Sequence, residues 1–199
     1  MAFIRATLTP EITPTLPAGA VMLRAPRMSD YAAWAAMRGH SRDHLTPFEP
    51  EWQLDELSRA AFKERVRRYQ REARNDDGHA FLIFEKASGD LAGGISLSNI
   101  RRGVAQMGTV GYWIGVTATR KGYATAALRA VTEYALRELH LHRIEAACMP
   151  TNAASLRTLE RCGFRREGIA PRYLKINGAW QDHVLFALSV EDWIGETAA

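Results

Sequence analysis

The chain's most informative segment reads Gly111-Tyr112-Trp113-Ile114-Gly115-Val116-Thr117-Ala118-Thr119-Arg120-Lys121-Gly122-Tyr123-Ala124-Thr125. Its first half has the aromatic and β-branched residues of a strand, and from about Gly122 the apolar residues recur at helical spacing. The first N–H groups of a helix have no partner within the helix, and the helix dipole is positive there. Small Gly122 and Ala124, beside basic Arg120 and Lys121, therefore predict a loop that binds a diphosphate.

Two better-known phosphate loops are excluded by the same residues. The segment contains neither the G-x-x-x-x-G-K-[ST] pattern of a P-loop nor the G-x-G-x-x-G pattern of a dinucleotide fold. An ordinary turn before a helix is the other interpretation of a basic glycine loop.

The segments on either side predict a single α/β (α+β) domain with a central sheet and helices on both faces. Seven strands are predicted, at 21–24, 79–85, 91–100, 106–116, 142–149, 164–176 and 180–188, and helices begin near 30, 54, 122 and 152. Asn177-Gly178 between the last two strands indicates a hairpin. We expect residues 1–20, with three prolines, to form an extended arm, residues 21–194 the domain, and residues 195–199 a tail.

Composition excludes several classes of protein. The 199 residues are 47% hydrophobic and 24% charged, which excludes a disordered, collagen-like or coiled-coil chain. The net charge of +4 permits an anionic ligand. Two cysteines and the lack of any apolar run of about 20 residues predict a cytoplasmic protein with no membrane association. The histidine and cysteine spacing predicts no metal site.

Several motifs resemble one known family. Arg120-Lys121-Gly122-Tyr123-Ala124 resembles the acetyl-CoA loop of the GNAT superfamily of N-acetyltransferases, whose signature is Gln/Arg-x-x-Gly-x-Gly/Ala; this chain has Thr119 at the first position. Asn152-Ala153-Ala154-Ser155 and Gly163-Phe164-Arg165-Arg166-Glu167-Gly168 resemble the Asn-x-x-Ser…Gly-Phe-x-x-Glu-Gly pattern of its ribosomal-protein-alanine N-acetyltransferase (RimJ/RimL-like) branch. Segments 45–50, 98–103, 140–144 and 180–185 extend the likeness over residues 21–193.

This resemblance implies the GNAT fold, with a mixed and mostly antiparallel sheet that splays at an acetyl-CoA site. A backbone N–H near Ile114 would face the thioester oxygen, and Ser155 would lie near the leaving sulfur. The cosubstrate-binding residues that the resemblance implies are Trp113, Ile114, Val116, Arg120, Lys121, Gly122, Tyr123, Ala124, Thr125, Asn152 and Ser155. From the residues alone, Asn152 is also a helix N-cap, and Ser155 can instead bond to the backbone.

The acceptor side is implied to contain Glu49, Asn99, Tyr112 and Trp113. Glu49 is the first candidate for the general base and Glu145 the second, although both carboxylates also fit structural roles. An ordered water is the third possibility, because an α-amine is roughly one-tenth neutral at pH 7 and needs little base catalysis.

The resemblance therefore implies direct transfer of acetyl from acetyl-CoA, in a ternary complex, to the N-terminal alanine of a small-subunit ribosomal protein. The alternatives are acetylation of a small amine (an antibiotic, a polyamine or an amino acid) and a non-catalytic, acetyl-CoA-binding, ribosome-associated factor. We expect a protein or peptide N-terminus as partner, no direct contact with nucleic acid, and a monomer or homodimer. The basic face of the helix over 59–74 fits either a solvated surface or docking to ribosomal RNA or an acidic partner.

Overall fold

The computed structural model describes residues 12–193. Its strands are β1 (Leu16–Ala18), β2 (Val21–Arg24), β3 (His79–Glu85), β4 (Leu91–Arg101), β5 (Met107–Ile114), β6 (Arg143–Cys148), β7 (Arg165–Ile176) and β8 (Ala179–Ser189). Its α-helices are α1 (Tyr31–His40), α2 (Arg42–Leu45), α3 (Arg59–Arg74), α4 (Tyr123–Glu133) and α5 (Ala153–Arg161), and a π-helical turn, Tyr134–Glu138, continues α4.

All eight strands form one sheet in the order β1-β2-β3-β4-β5-β6-β8-β7. The pair β5–β6 is parallel and the other pairs are antiparallel, which confirms the predicted mixed sheet. The additional strand is β1, which pairs with β2 although it contains Pro17. Proline is tolerated here because β1 is an edge strand. The rest of the predicted arm, up to residue 11, and the predicted tail lie outside the described residues.

Helices cover both faces of the sheet, as predicted. Because side chains alternate along a strand, Phe81 and Ile83 of β3 join the larger core, which contains α4. Their neighbours Leu82 and Phe84 join a smaller cluster with Trp34 of α1 and with residues of α3.

Helix α3 begins later than the sequence pattern predicts. The apolar spacing places its start near Leu54, but this side chain is fully exposed and the helix begins at Arg59. The reason is local, because the Ser58 hydroxyl accepts a hydrogen bond from Ala61 N–H at 3.0 Å and so caps the helix there.

The β7–β8 hairpin turns at Asn177 and Gly178, as predicted. Both residues have positive φ, 44° and 81°, which matches the two-residue turn that Asn-Gly favours. The tip reaches the loop after α2, where Asn177 N–H donates to the Glu49 carbonyl at 2.9 Å.

Candidate active site

A gap opens in the sheet between β5 and β6. The two strands pair only at Met107–Thr109, and beyond this point β6 continues with β8 while β5 continues with β4. The Gly115 N–H donates to Ala92 on the β4 side at 2.9 Å. Since backbone groups alternate in direction along a strand, the Ile114 N–H faces the gap. The predicted splay is therefore present, and Ile114 lies on its open edge.

The loop that leads from β5 into α4 leaves backbone donors free. Arg120 and Gly122 have φ values of 60° and 79°, in the left-handed region. Gly122 is the N-cap residue and no side chain caps α4, so the first N–H groups of the helix keep their hydrogens available. A Cβ built on Gly122 would meet no atom within 4 Å, so space for a ligand lies above the loop.

The two basic side chains of this loop differ. Arg120 is exposed and has no ion-pair partner among residues 12–193. Lys121 Nζ lies 3.7 Å from the Glu85 carboxylate. The Tyr123 hydroxyl donates to the same carboxylate, and this bond, with the charge of Lys121, lowers the pKa of Glu85. Tyr123 is thus buried toward β3 and contributes to the loop through its backbone.

The backbone N–H and carbonyl groups of Val116 are both already hydrogen-bonded within the protein. The Val116 N–H donates to the buried Ser41 hydroxyl at 3.0 Å, and its carbonyl accepts from the Thr119 hydroxyl at 3.0 Å. Its N–H would bind a cosubstrate only after leaving Ser41.

Asn152 and Ser155 lie on the other side of the gap, at the start of α5. The Asn152 side chain accepts a hydrogen bond from Ser155 N–H at 3.1 Å, so Asn152 is the N-cap of α5. The Ser155 hydroxyl oxygen lies 2.9 Å from the hydroxyl oxygen of Tyr112, which projects from β5. Burial raises the pKa of Tyr112 to about 12. The Tyr112 hydroxyl therefore contacts Ser155, and Tyr112 also lines the neighbouring cavity on the acceptor side that the resemblance implied for it.

A cavity of about 400 Å³ lies on the α1/α3 face of the sheet. Arg38 of α1 is in its wall and is 6% exposed. The Arg38 guanidinium donates two hydrogen bonds to Glu49, at 2.7 and 2.8 Å. Trp52 Nε1 donates to the same carboxylate at 2.8 Å. Both Glu49 oxygens are thus engaged, which favours a positioning or binding role over that of a free base.

Indole rings surround the Arg38 guanidinium. Its central carbon lies 4.5 Å from the ring centre of Trp52 and 5.1 Å from that of Trp113, within the range of cation–π attraction. Arg38 Nε is buried without a hydrogen-bond partner. Trp113 therefore lines the cavity and contacts Arg38, a residue that the sequence did not reveal.

Glu51 differs from the other carboxylates of the cavity. Glu56 pairs with Arg65 and lies 3.7 Å from Arg38, and Glu49 is held as described. Glu51 lines the cavity, is exposed, and forms no ion pair within the described part of the chain. It is the cavity carboxylate that remains available to a cationic acceptor.

Two predicted candidates lie elsewhere. Asn99 is exposed three residues beyond Ser96 on β4, roughly 10 Å along the strand, and does not line the cavity. Glu145 is bound to Arg143 at 3.0 Å, in the paired part of β5 and β6 rather than in the gap. Neither residue joins the site.

Arg38 and Trp52 are the main residues that sequence reasoning missed as site residues. The available signal was an arginine on the apolar side of α1, one turn after Trp34. Arginine is seldom fully buried unless it is paired, so its position predicts a carboxylate partner from a distant segment but does not identify it.

Neither a membrane helix nor a metal centre is found in the described part. No helix within residues 12–193 is long and apolar enough to cross a membrane. No group of three or more histidine, cysteine, aspartate or glutamate residues there is arranged to hold a metal ion.

Comparison with known proteins identifies the fold. Residues 20–165 match the family model described as an acetyltransferase (GNAT) domain, which is most of the chain. The chain belongs to the GNAT acetyltransferase family. This acetyltransferase has the open β5 edge and the uncapped α4 loop at the positions that the resemblance implied.

Three relatives define its place within the family. A probable N-acetyltransferase, YjcK, of Bacillus subtilis (strain 168) is 36% identical over 168 residues, 84% of this chain and 93% of that protein. The [ribosomal protein uS5]-alanine N-acetyltransferase of Escherichia coli (strain K12) is 34% identical, over 84% of this chain and 83% of that protein. The structure of Mycobacterium smegmatis RimJ in complex with CoA-disulfide has a TM-score of 0.83 and 34% identity, covering 89% of this chain and 87% of that chain.

The acetyltransferase is therefore an acetyl-CoA-dependent, RimJ-like N-acetyltransferase. Its own residues fit that cosubstrate, because α4 offers uncapped N–H groups with open space above Gly122 and β5 offers an unpaired edge. When bound, acetyl-CoA supplies the acetyl group as an activated thioester.

Proposed function

We propose that this acetyltransferase acetylates the N-terminal α-amine of a protein, and that its acceptor is the alanine terminus of a small-subunit ribosomal protein. The observation that carries the proposal is the engagement of the cavity's carboxylates. Glu49 and Glu56 are bound to arginines, and Glu51, the unpaired carboxylate that lines the cavity within residues 12–193, is exposed, so the described residues place no buried free base there. An α-amine has a pKa near 8 and is partly neutral without a base, whereas a lysine amine is almost entirely protonated.

The cosubstrate side of the proposed site is made largely of backbone. The first N–H groups of α4, with Arg120 and Lys121, bind the diphosphate. The Ile114 N–H donates to the thioester oxygen as negative charge develops there. Asn152 fixes the first turn of α5, and Ser155 is thereby directed toward the leaving sulfur.

The acceptor side of the proposed site is made of side chains. Glu51 attracts the cationic terminus, and Trp113 and Trp52 form walls that hold it against the gap. Glu49 positions these indoles through Arg38 and its own bond to Trp52. An ordered water accepts the amine proton, since the α-amine needs no strong base. The relatives named for uS5-alanine acetylation support alanine as the first residue.

The proposal is tested with purified protein, acetyl-CoA and a peptide that begins with alanine and contains an internal lysine. The matched control is the same peptide with a blocked N-terminus. We expect one acetyl group on the free peptide, located by mass spectrometry at the terminus, and none on the blocked peptide. Acetylation of the lysine, or of small amines but not of the peptide, would contradict the proposal.

A further inference from the structure

A pair of hydroxyl groups joins the two sides of the gap. Tyr112 projects from β5, and Ser155 lies in the first turn of α5, 43 residues away in sequence. Their oxygens are 2.9 Å apart, and the Ser155 carbonyl oxygen, 3.3 Å from the Tyr112 oxygen, is a second and more distant acceptor for the single hydrogen of Tyr112. Tyr112 is thus a polar neighbour of the residue that is proposed to face the leaving sulfur, and the Cys148 thiol is another.

We propose that Tyr112 is a positioning residue that holds the Ser155 hydroxyl in the orientation from which it donates a hydrogen bond to the thiolate leaving group. This inference rests on the proposed cosubstrate site but does not depend on the identity of the acceptor. When Tyr112 donates to Ser155 Oγ, the hydrogen of Ser155 is left free for the sulfur.

The surroundings of the pair suit this role. Ser155 lies at the positive end of the α5 dipole, where negative charge is stabilised. The backbone of Ser155 is fixed by the Asn152 cap, so a single side-chain torsion decides where its hydroxyl points. Because burial raises the pKa of Tyr112 to about 12, this phenol keeps its hydrogen near neutral pH.

The reaction then balances without an ionised tyrosine or serine. The amine nitrogen forms a bond to the acetyl carbon, and the carbon–sulfur bond breaks with its electron pair on sulfur. The nitrogen loses a proton to water, and the thiolate takes one from solvent. Ser155 contributes a hydrogen bond to the charged sulfur, and Tyr112 fixes its direction.

A double-mutant cycle separates positioning from simple packing. We expect Ser155→Ala to lower kcat about a hundredfold, as the loss of a donor to developing charge does elsewhere. Tyr112→Phe should lower kcat about tenfold and leave the KM for acetyl-CoA almost unchanged. If Tyr112 acts through Ser155, Tyr112→Phe has no further effect on the Ser155→Ala enzyme.

Tyr134→Phe is the matched control. It removes another buried phenol whose pKa is raised to about 12, and that phenol lies 3.4 Å from His79, away from the gap. It should leave kcat unchanged. Equal losses in Tyr112→Phe and Tyr134→Phe, or additive losses in the cycle, would overturn the proposal.

Binding of CoA provides a second readout that requires no catalysis. The ratio of the affinities for CoA and desulfo-CoA is measured by calorimetry between pH 7 and 9.5, where an ordinary thiol ionises. In the wild type the ratio should rise with pH by about tenfold, because a thiolate accepts the Ser155 hydrogen bond.

The ratio should stay flat in Ser155→Ala and rise less in Tyr112→Phe. A rise in Tyr112→Phe equal to that in the wild type would overturn the inference. Since no acceptor is present, a protein that shows the expected ratios but acetylates no peptide would contradict the proposed acceptor alone.

Discussion

The two faces of the gap are built in different ways. On the proposed cosubstrate side, the uncapped start of α4 and the open edge of β5 leave main-chain groups available to a ligand. On the acceptor side, a buried arginine, two carboxylates and three indoles form the wall. Backbone N–H groups suit the cosubstrate, because its structure is the same in every reaction. Side chains, by contrast, can be changed one at a time by mutation. The side that must recognise a particular acceptor is therefore the one that depends on side chains.

Among the variants that test this comparison, Arg38→Met should have the largest effect, which is on the free energy of unfolding. It leaves the Glu49 carboxylate, 19% exposed, without its bidentate partner, and breaking a buried pair in this way costs about 3–5 kcal/mol of unfolding free energy. Urea unfolding measures the loss. Arg67→Met removes an exposed pair with Glu64 and should change stability by less than about 1 kcal/mol. Comparable losses in the two variants would show that the acceptor wall does not depend on Arg38.

Because of Tyr112, the unfolding free energy of the wild type should fall at alkaline pH. The pKa of Tyr112 is raised by burial to about 12 in the folded protein, against about 10 in the unfolded chain. The folded state therefore holds this proton more tightly, and the resulting stability is complete below pH 10 and lost as the pH rises toward 12. This difference in pKa corresponds to roughly 3 kcal/mol of unfolding free energy.

Unfolding free energies measured from pH 9 to 11.5 should fall less steeply in Tyr112→Phe than in the wild type. Tyr134 has a similarly raised pKa, so some decline will remain in this variant. Identical slopes would mean that burial does not raise the pKa of Tyr112 in the folded protein.

Gly122→Val tests the cosubstrate side. A β-branched residue at φ 79° strains the backbone, and the strained loop can no longer present the α4 N–H groups. We expect the affinity for CoA, measured by calorimetry, to fall at least about tenfold. Gly103→Val introduces similar strain at φ 65°, also in open space but in the β4–β5 turn, and should leave CoA affinity unchanged. An unchanged affinity in Gly122→Val would place the diphosphate elsewhere.

Glu51→Gln should give the smallest effect, which is confined to the KM for the acceptor. An exposed carboxylate attracts a cationic terminus by up to about 1 kcal/mol, so the KM for an alanine peptide should rise about two- to fivefold. The rise should diminish at high salt, while CoA affinity stays constant. Glu64→Gln, on the exposed face of α3, is the control. If the two variants have the same KM, Glu51 does not bind the acceptor.

Much of the fold and of the cosubstrate side could be predicted from the sequence because the signals are local. Asn177-Gly178 predicts its hairpin, and the change from strand to helical spacing around Gly122 locates the loop. The Asn-x-x-Ser motif likewise contains both the N-cap and the residue that it fixes. The start of α3 was missed although its cause is also local, since an apolar pattern says less about a helix boundary than a capping serine does.

The acceptor side could not be assembled from the sequence because its contacts are distant. Nothing local relates Arg38 of α1 to Glu49, or the hairpin tip at Asn177 to the Glu49 carbonyl. The direction of a side chain at a strand position is equally hard to predict. Tyr112 and Trp113 are neighbours in sequence, and the alternation of the strand sends the first to Ser155 and the second to Arg38.

The early end of the β5–β6 ladder should also affect the tendency of the purified protein to self-associate during storage. Unpaired strand edges recruit strands from other molecules, and most proteins cover such edges permanently. At the proposed cosubstrate site the cover is acetyl-CoA, which would lie along β5 and occupy the groups that a foreign strand would need. Self-association of the acetyltransferase should therefore be suppressed by its own cosubstrate, and solutions supplemented with CoA should stay clear for longer than solutions without it.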